Sequence, residues 1–261
     1  MLIDTCTYIG HWPFRKLPFE TLQELCDHAE KHLVTHLFCT NVEAIFYKDA
    51  FLGNTDLLDQ VKAYKGSVKV YPFAVVNPEY VCFEDDIKKY AALGFKGIEL
   101  TPQYHGYKLG SENSAKAFKL CGELGLWVKV SAGFENIRQR NPVLDKFEEP
   151  GAEDIAKLLS ASEKTTAVIN AYFPTALGGS FKTEVDKRNN VFVDVMRTDS
   201  FVGKNFEAAI NYLGYDRLVF ASMCPFKYIE AQFVKLFVSK TADEDGVEKI
   251  LYGNMKKALG I

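Results

Sequence analysis

Short runs of β-branched and other apolar residues alternate with stretches in which apolar positions recur every three or four residues, and this alternation continues along the whole chain. The runs predict eight strands, near residues 2–6, 34–40, 68–76, 96–100, 127–131, 166–171, 191–196 and 217–222. The segments between them predict helices with one apolar face, on Leu22, Leu25 and Ala29, then Leu57, Leu58 and Val61, then Ile87, Tyr90 and Ala91, then Ala117, Leu120 and Leu124. The spacing returns in Ile155, Leu158 and Leu159, in Phe206, Ala209, Ile210 and Leu213, and in Phe233, Leu236 and Phe237. It is weakest over 174–187.

The connections are lopsided. Those entering a strand are tight and contain a glycine able to end a helix in the left-handed conformation, as at Gly66, Gly94, Gly125 and Gly214. Those leaving a strand are long, covering 41–54, 102–113, 132–150 and 172–183. Strands that alternate with helical crossovers must run parallel, and 261 residues is the usual size of one (β/α)8 barrel. The fold class is therefore α/β, a TIM barrel forming one domain over 1–261, with its site among the long loops at the C-terminal ends of the strands. An open doubly wound sheet would need a phosphate-binding glycine loop after an early strand. Gly178-Gly179-Ser180 comes late and reads as a plain turn.

Composition narrows the function. Hydrophobic residues at 48% and charged residues at 25% describe a soluble globular protein. With 31 basic and 34 acidic residues, the net charge of -3 argues against nucleic acid and for a small uncharged or anionic ligand. No apolar run has membrane length, and Met1 leads straight into a strand with no targeting signal, so the expected location is cytoplasmic. The six cysteines lack any CxxC spacing and are expected to be free buried thiols.

The opening stretch LIDTCTYIGHWPFR places Asp4, Cys6 and Tyr8 on one face of the first strand by simple alternation. It resembles the start of the amidohydrolase-related (amidohydrolase 2) family of metal-dependent TIM-barrel hydrolases and decarboxylases, in which an Ile-Asp precedes a His-x-His pair and a glycine. The likeness continues through Phe95-Lys96-Gly97-Ile98 and the proline loop Thr101-Pro102-Gln103-Tyr104-His105-Gly106-Tyr107, through Asp216 to Ser222, and into a terminal helix containing Asn254. It implies a zinc or other divalent ion at the mouth, held by histidines and an aspartate. In this chain the corresponding positions hold Cys6, Tyr8, Ser131, Tyr172 and Met223. Hydroxyl and thioether groups are poor ligands for a hard catalytic ion, so the resemblance implies a member whose metal ligands are substituted and which uses no metal cofactor. It also implies paired barrels, a homodimer.

Candidate chemistry gathers at the expected mouth. His105 and His11 are imidazoles placed for proton transfer. Arg15 and Arg197, the latter beside Asp194, are guanidiniums suited to a carboxylate or phosphate, with an Asp194–Arg197 pair as the structural alternative. Cys6 and Cys224 close neighbouring strands as nucleophile, soft-metal ligands or core thiols. Aromatic residues, Tyr104 among them, supply an apolar wall. His28 and His32 have the spacing of a helical metal pair but lie on an outer helix and read as a solvated face. The expected function is a hydrolase or lyase of a small organic acid or carbonyl compound, with His105, Tyr172, Ser131 and Cys6 catalytic and Tyr8, His11, Arg15, Tyr104, Asp194, Arg197 and Met223 contacting substrate. The alternatives are a conventional metal-dependent hydrolase or decarboxylase with unusual ligands, and a non-catalytic binding barrel.

Overall fold

The computed structural model describes residues 1–135, 140–141, 143–144, 149–170, 178–197, 204–238 and 243–261. Its strands are β1 (Ile3–Ile9), β2 (His36–Asn41), β3 (Lys69–Val75), β4 (Gly97–Leu100), β5 (Trp127–Ser131), β6 (Ala167–Asn170), β7 (Val191–Asp194) and β8 (Leu218–Val219). Every neighbouring pair is parallel, and the sheet runs in chain order from β1 to β8. The bridge between Thr7 and Cys224, with the bonds Thr5 N–H to Phe220 O and Tyr8 N–H to Cys224 O, brings the two ends together. This is a nearly closed (β/α)8 barrel.

The helices are α1 (Leu22–Lys31), α2 (Ala50–Ala63), α3 (Phe83–Leu93), the single turn α4 (Pro102–His105), α5 (Glu112–Glu123), α6 (Ala152–Ser160), α7 (Gly178–Asp186), α8 (Lys204–Leu213), α9 (Ile229–Val238), and α10 (Glu244–Glu248) joined by a π turn to α11 (Asn254–Leu259). Their buried faces largely follow the apolar stripes of the sequence, as with Leu22, Leu25, Cys26 and Ala29 on α1, but Leu124, at the cap of α5, and Phe237 of α9 are exposed. A capping box starts α1: the Thr21 hydroxyl accepts from Glu24 N–H, while the Glu24 carboxylate accepts from Thr21 N–H. Gly178-Gly179-Ser180, expected as a plain turn, forms the first turn of α7.

Two strands differ from their expected outlines. β8 shrinks to two residues, since Phe220 N–H bonds Ile250 O from the terminal helical segment, although the chain beyond it still bonds β1. β1 carries a register shift between Asp4 and Thr7. Asp4 pairs with Leu37 and Thr7 with Cys39, so Thr5 and Cys6 share the place opposite Phe38, which is a β-bulge.

The barrel interior is filled in layers. At the bottom, Ile3, Phe38, Phe73, Trp127, Val168, Phe192 and Val219 contribute one side chain per strand, with Met255 of α11 packed among them. β4 contributes Gly97. A Cβ there would stand 2.2 Å from Trp127 O and 2.6 Å from the Phe73 ring, so the large neighbours need the glycine. Two residues further along β2, β4, β5, β6 and β7 the layer turns polar: Thr40, Glu99, Lys129, Asn170 and Asp194 are all fully buried.

Candidate active site

The polar layer is built around an ion pair that strand register creates. Glu99 and Lys129 are partners in the β4–β5 ladder, and Lys129 Nζ lies 3.0 Å from Glu99 Oε2 with neither side chain exposed. Thr40 donates its hydroxyl to the same Oε2, and Lys129 Nζ donates to Thr40 Oγ1 at 3.3 Å. On the other carboxylate oxygen, Oε1, Ser131 donates at 2.5 Å and Tyr8 at 2.8 Å. Cys6 Sγ completes the cluster by donating to Tyr8 Oη at 3.3 Å. The Lys129 ammonium also sits between two rings, 5.1 Å from the centroid of Tyr8 and 5.2 Å from that of Phe73.

Burial alone would raise the pKa of Glu99, yet Lys129 and the hydroxyls of Ser131 and Thr40 hold it below its ordinary value. Burial works against the charge of Lys129, and Glu99 more than offsets it, so its pKa is raised. Both partners stay ionised. Burial pushes Cys6 and Tyr8 well above their usual values, which keeps a thiol and a phenol at neutral pH. Cys6 is thus a hydrogen-bond donor here, which agrees with the core-thiol alternative for this residue.

Aromatic rings cover this cluster on the mouth side. The Tyr8 ring packs 4.8 Å from Phe134 and 5.6 Å from Phe226, and Trp12 lies beyond them, 5.7 Å from Phe134 and 4.9 Å from Phe226. Tyr104 stacks on Phe134 at 4.9 Å and accepts from Phe134 N–H at 2.7 Å through its hydroxyl. The aromatic wall read from the sequence is a packed cap.

The structure brings Cys6, Tyr8 and Ser131 together as expected, and Met223 is tied to them by its N–H to Cys6 O, 2.8 Å. Tyr172 lies outside the described residues. Asp4 does not share the face of Cys6 and Tyr8, because the bulge changes the alternation. Its Oδ1 accepts from Cys6 N–H and Ser222 N–H, tying β1 to the chain after β8. His105, at the end of α4, is held from two sides, with Nε2 3.0 Å from Ile45 O in the segment after β2 and Nδ1 3.3 Å from Thr101 Oγ1. Burial lowers its pKa to about 4, the bond to Ile45 opposing the shift, so it is neutral at physiological pH with both nitrogens engaged. These bonds hold the His105 ring, expected as an acid or base, in a fixed orientation.

At the rim, His11 is exposed and pairs with Glu20. Arg15 Nε meets Glu135 Oε1 at 2.5 Å and its Nη2 donates to Phe226 O. Arg197 forms a two-point pair with Glu149, at 2.9 and 3.0 Å, and donates to Gly133 O. Asp194 accepts from Asn170 Nδ2 at 3.0 Å and from Met196 N–H at 2.9 Å. Glu99 and Lys129 were missed from sequence, although opposite charges inside the apolar strands GIEL and WVKVS are a visible signal. Among the described residues no trio of His, Cys, Asp or Glu donors converges at the mouth. The trio that does converge lies on the outer surface.

A family model described as Amidohydrolase matches residues 18–169, more than half of the chain. The chain belongs to the amidohydrolase family. Among curated proteins none matches this amidohydrolase, but many solved structures share its fold. A dihydroxybenzoic acid decarboxylase of Polaromonas sp. JS666, with manganese and the inhibitor 2-nitroresorcinol bound, is 12% identical with a TM-score of 0.70, covering 100% of this chain and 97% of that one. A 2,6-dihydroxybenzoate decarboxylase from Rhizobium is 12% identical with a TM-score of 0.67, covering 100% and 99%. A probable 2-pyrone-4,6-dicarboxylic acid hydrolase of Acinetobacter baumannii with citric acid bound is 14% identical with a TM-score of 0.67, covering 100% and 99%. In this amidohydrolase no helix among the described residues is long and apolar enough to cross a membrane.

Proposed function

We propose that this amidohydrolase is a hydrolase or decarboxylase of a small organic acid or carbonyl compound, working at the barrel mouth without a divalent metal ion there. Lys129 is the observation that carries this reading: a fixed ammonium stands 3.0 Å from Glu99 within the ring of Cys6, Tyr8 and Ser131. Those three and Met223 offer a thiol, a phenol, a hydroxyl and a thioether, a set that does not fit zinc or manganese. Burial keeps the thiol and phenol protonated.

In this reading the Tyr8 hydroxyl is the proton donor, poised on Glu99 Oε1 at 2.8 Å, and Ser131 orients the same oxygen. Arg15 and Arg197 receive the substrate carboxylate by exchanging Glu135 and Glu149 for it. A planar acid, of the kind named for the dihydroxybenzoate decarboxylases, would stack among Trp12, Tyr104, Phe134 and Phe226 once these packed rings part. Entry requires the cap to part, since Phe134 and Phe226 cover Tyr8.

The test is turnover of hydroxylated aromatic acids and cyclic dicarboxylic esters by protein purified without chelator, with and without EDTA. Chelator-insensitive turnover is expected, with kcat falling about 10²- to 10⁴-fold in Tyr8→Phe. Turnover that EDTA abolishes and zinc or manganese restores would overturn the metal-free mouth. A second reading rests on the cover itself: Cys6, Tyr8, Thr40, Glu99, Lys129 and Ser131 are fully buried and bonded to one another, which suits a barrel that binds without reacting. Ligand-induced thermal stabilisation with no turnover across the panel would favour it.

A further inference from the structure

The outer surface carries a second constellation, unrelated to the mouth. His28 and His32 are one helical turn apart on α1 and its C-terminal cap, with ring centroids 4.6 Å apart. Glu230, in the first turn of α9, reaches across to them, and its Oε1 lies 2.6 Å from His32 Nε2. One donor atom from each of the three side chains falls within 4.8 Å of the others. From the sequence alone the two histidines read as a solvated face, because the third member comes from the far end of the chain.

The short contact to Glu230 is not an aligned hydrogen bond. Neither ring nitrogen of His32 has a hydrogen-bond partner, and both are shut off from solvent. A buried imidazole left without partners is costly. An ion pair accounts for the proximity of His32 and Glu230, but leaves that misalignment and the convergence of His28 unexplained. A cation shared by one donor atom from each of the three side chains accounts for the convergence and gives a His32 nitrogen the partner it lacks.

We infer that His28, His32 and Glu230 form a peripheral site for a divalent transition ion of the zinc type, with water as a further ligand. Two imidazoles and a carboxylate suit zinc, cobalt or nickel, whereas magnesium and calcium prefer oxygen donors. Ligands around a tetrahedral zinc ion at about 2.0–2.1 Å stand roughly 3.3 Å apart, so Glu230 Oε1 moves outward on loading. Its side chain is 54% exposed and has the room. The site joins the helix after β1 to the helix after β8. That is the seam where the barrel closes through a two-residue strand and a single bridge, so a bound ion would clip the first and last units together.

The test uses the full chain, stripped with EDTA and dialysed, then titrated with Zn²⁺ or Co²⁺ by calorimetry while the melting temperature is followed. One ion per chain is expected, with Tm rising as the ion concentration increases and Mg²⁺ without effect. Cobalt should give the visible bands of nitrogen and oxygen ligation without a thiolate charge-transfer band. His28→Gln, His32→Gln and Glu230→Gln should each weaken binding by more than about tenfold, and Cys82→Ser, at the exposed cysteine, should leave it unchanged. Absence of binding, or binding that survives His28→Gln and Glu230→Gln, overturns the site. Should His32→Gln fail to fold, the exposed Glu230 variant decides. Retained turnover in these variants separates this site from the mouth.

Discussion

Lys129 carries a positive charge that solvent cannot reach, and Glu99 is the partner that keeps it charged. In Lys129→Met the Glu99 carboxylate is left buried and uncompensated, and stability measured by urea denaturation should fall by about 3–5 kcal/mol. Adding Glu99→Gln should recover most of that loss, because the charge left behind causes the penalty. Asp4 behaves oppositely. Burial raises its pKa from 3.8 to about 6 against the opposing bonds from Ser222 and Cys6, so the folded state takes up its proton more readily than the unfolded chain does. The associated stability is complete below pH 3.8, is lost as pH rises through 6, and leaves a cost of roughly 3 kcal/mol at neutral pH. Asp4→Asn keeps an acceptor for both backbone amides and should stabilise the protein at pH 7.5, with the gain shrinking toward zero near pH 4. An equal change at both pH values would contradict this account. The convergence of Cys6, Tyr8 and Ser131 was legible because position along a strand fixes depth in a barrel. The Glu99–Lys129 pair was not, since which charges face each other depends on register between strands 30 residues apart.

At the level of elements, the strands were legible wherever β-branched runs are bounded by glycine turns, and Gly94, Gly125 and Gly214 do adopt positive φ. Two misjudged features have non-local causes. The bulge in β1 is set by pairing with β2 and by the Asp4 bonds to Cys6 and Ser222, so alternation within LIDTCTYIG could not reveal it. The shortness of β8 depends on Phe220 bonding to Ile250, 30 residues away. The polar layer likewise depends on the bottom layer beneath it, where Gly97 leaves space for Phe73 and Trp127. Gly97→Ala would push a methyl into the Trp127 carbonyl, a backbone atom with no freedom to swing aside. A loss of at least about 1–3 kcal/mol is expected in thermal or urea unfolding, and an unchanged midpoint would show that the strands can shift to make room.

On the scale of the whole molecule, the order of elements and the barrel followed from patterning and length, while much of the expected loops 132–150 and 172–183 lies outside the described residues. Chain order fixes neighbours in such a barrel, and among the described residues the pairing that joins the two ends of the chain is the closure of β8 on β1. That closure explains why the His28–His32–Glu230 cluster was illegible: it needs residues from both ends of the chain. The two tryptophans are distributed with a practical result. Trp12 is enclosed in the aromatic cap, while Trp127 sits in the bottom layer beneath Lys96. The protein therefore carries an intrinsic fluorophore at each pole. A ligand that parts the cap should change the emission of Trp12 and leave that of Trp127 in place, whereas global unfolding should red-shift both, so that Trp12→Phe and Trp127→Phe variants report the two events separately without any added label.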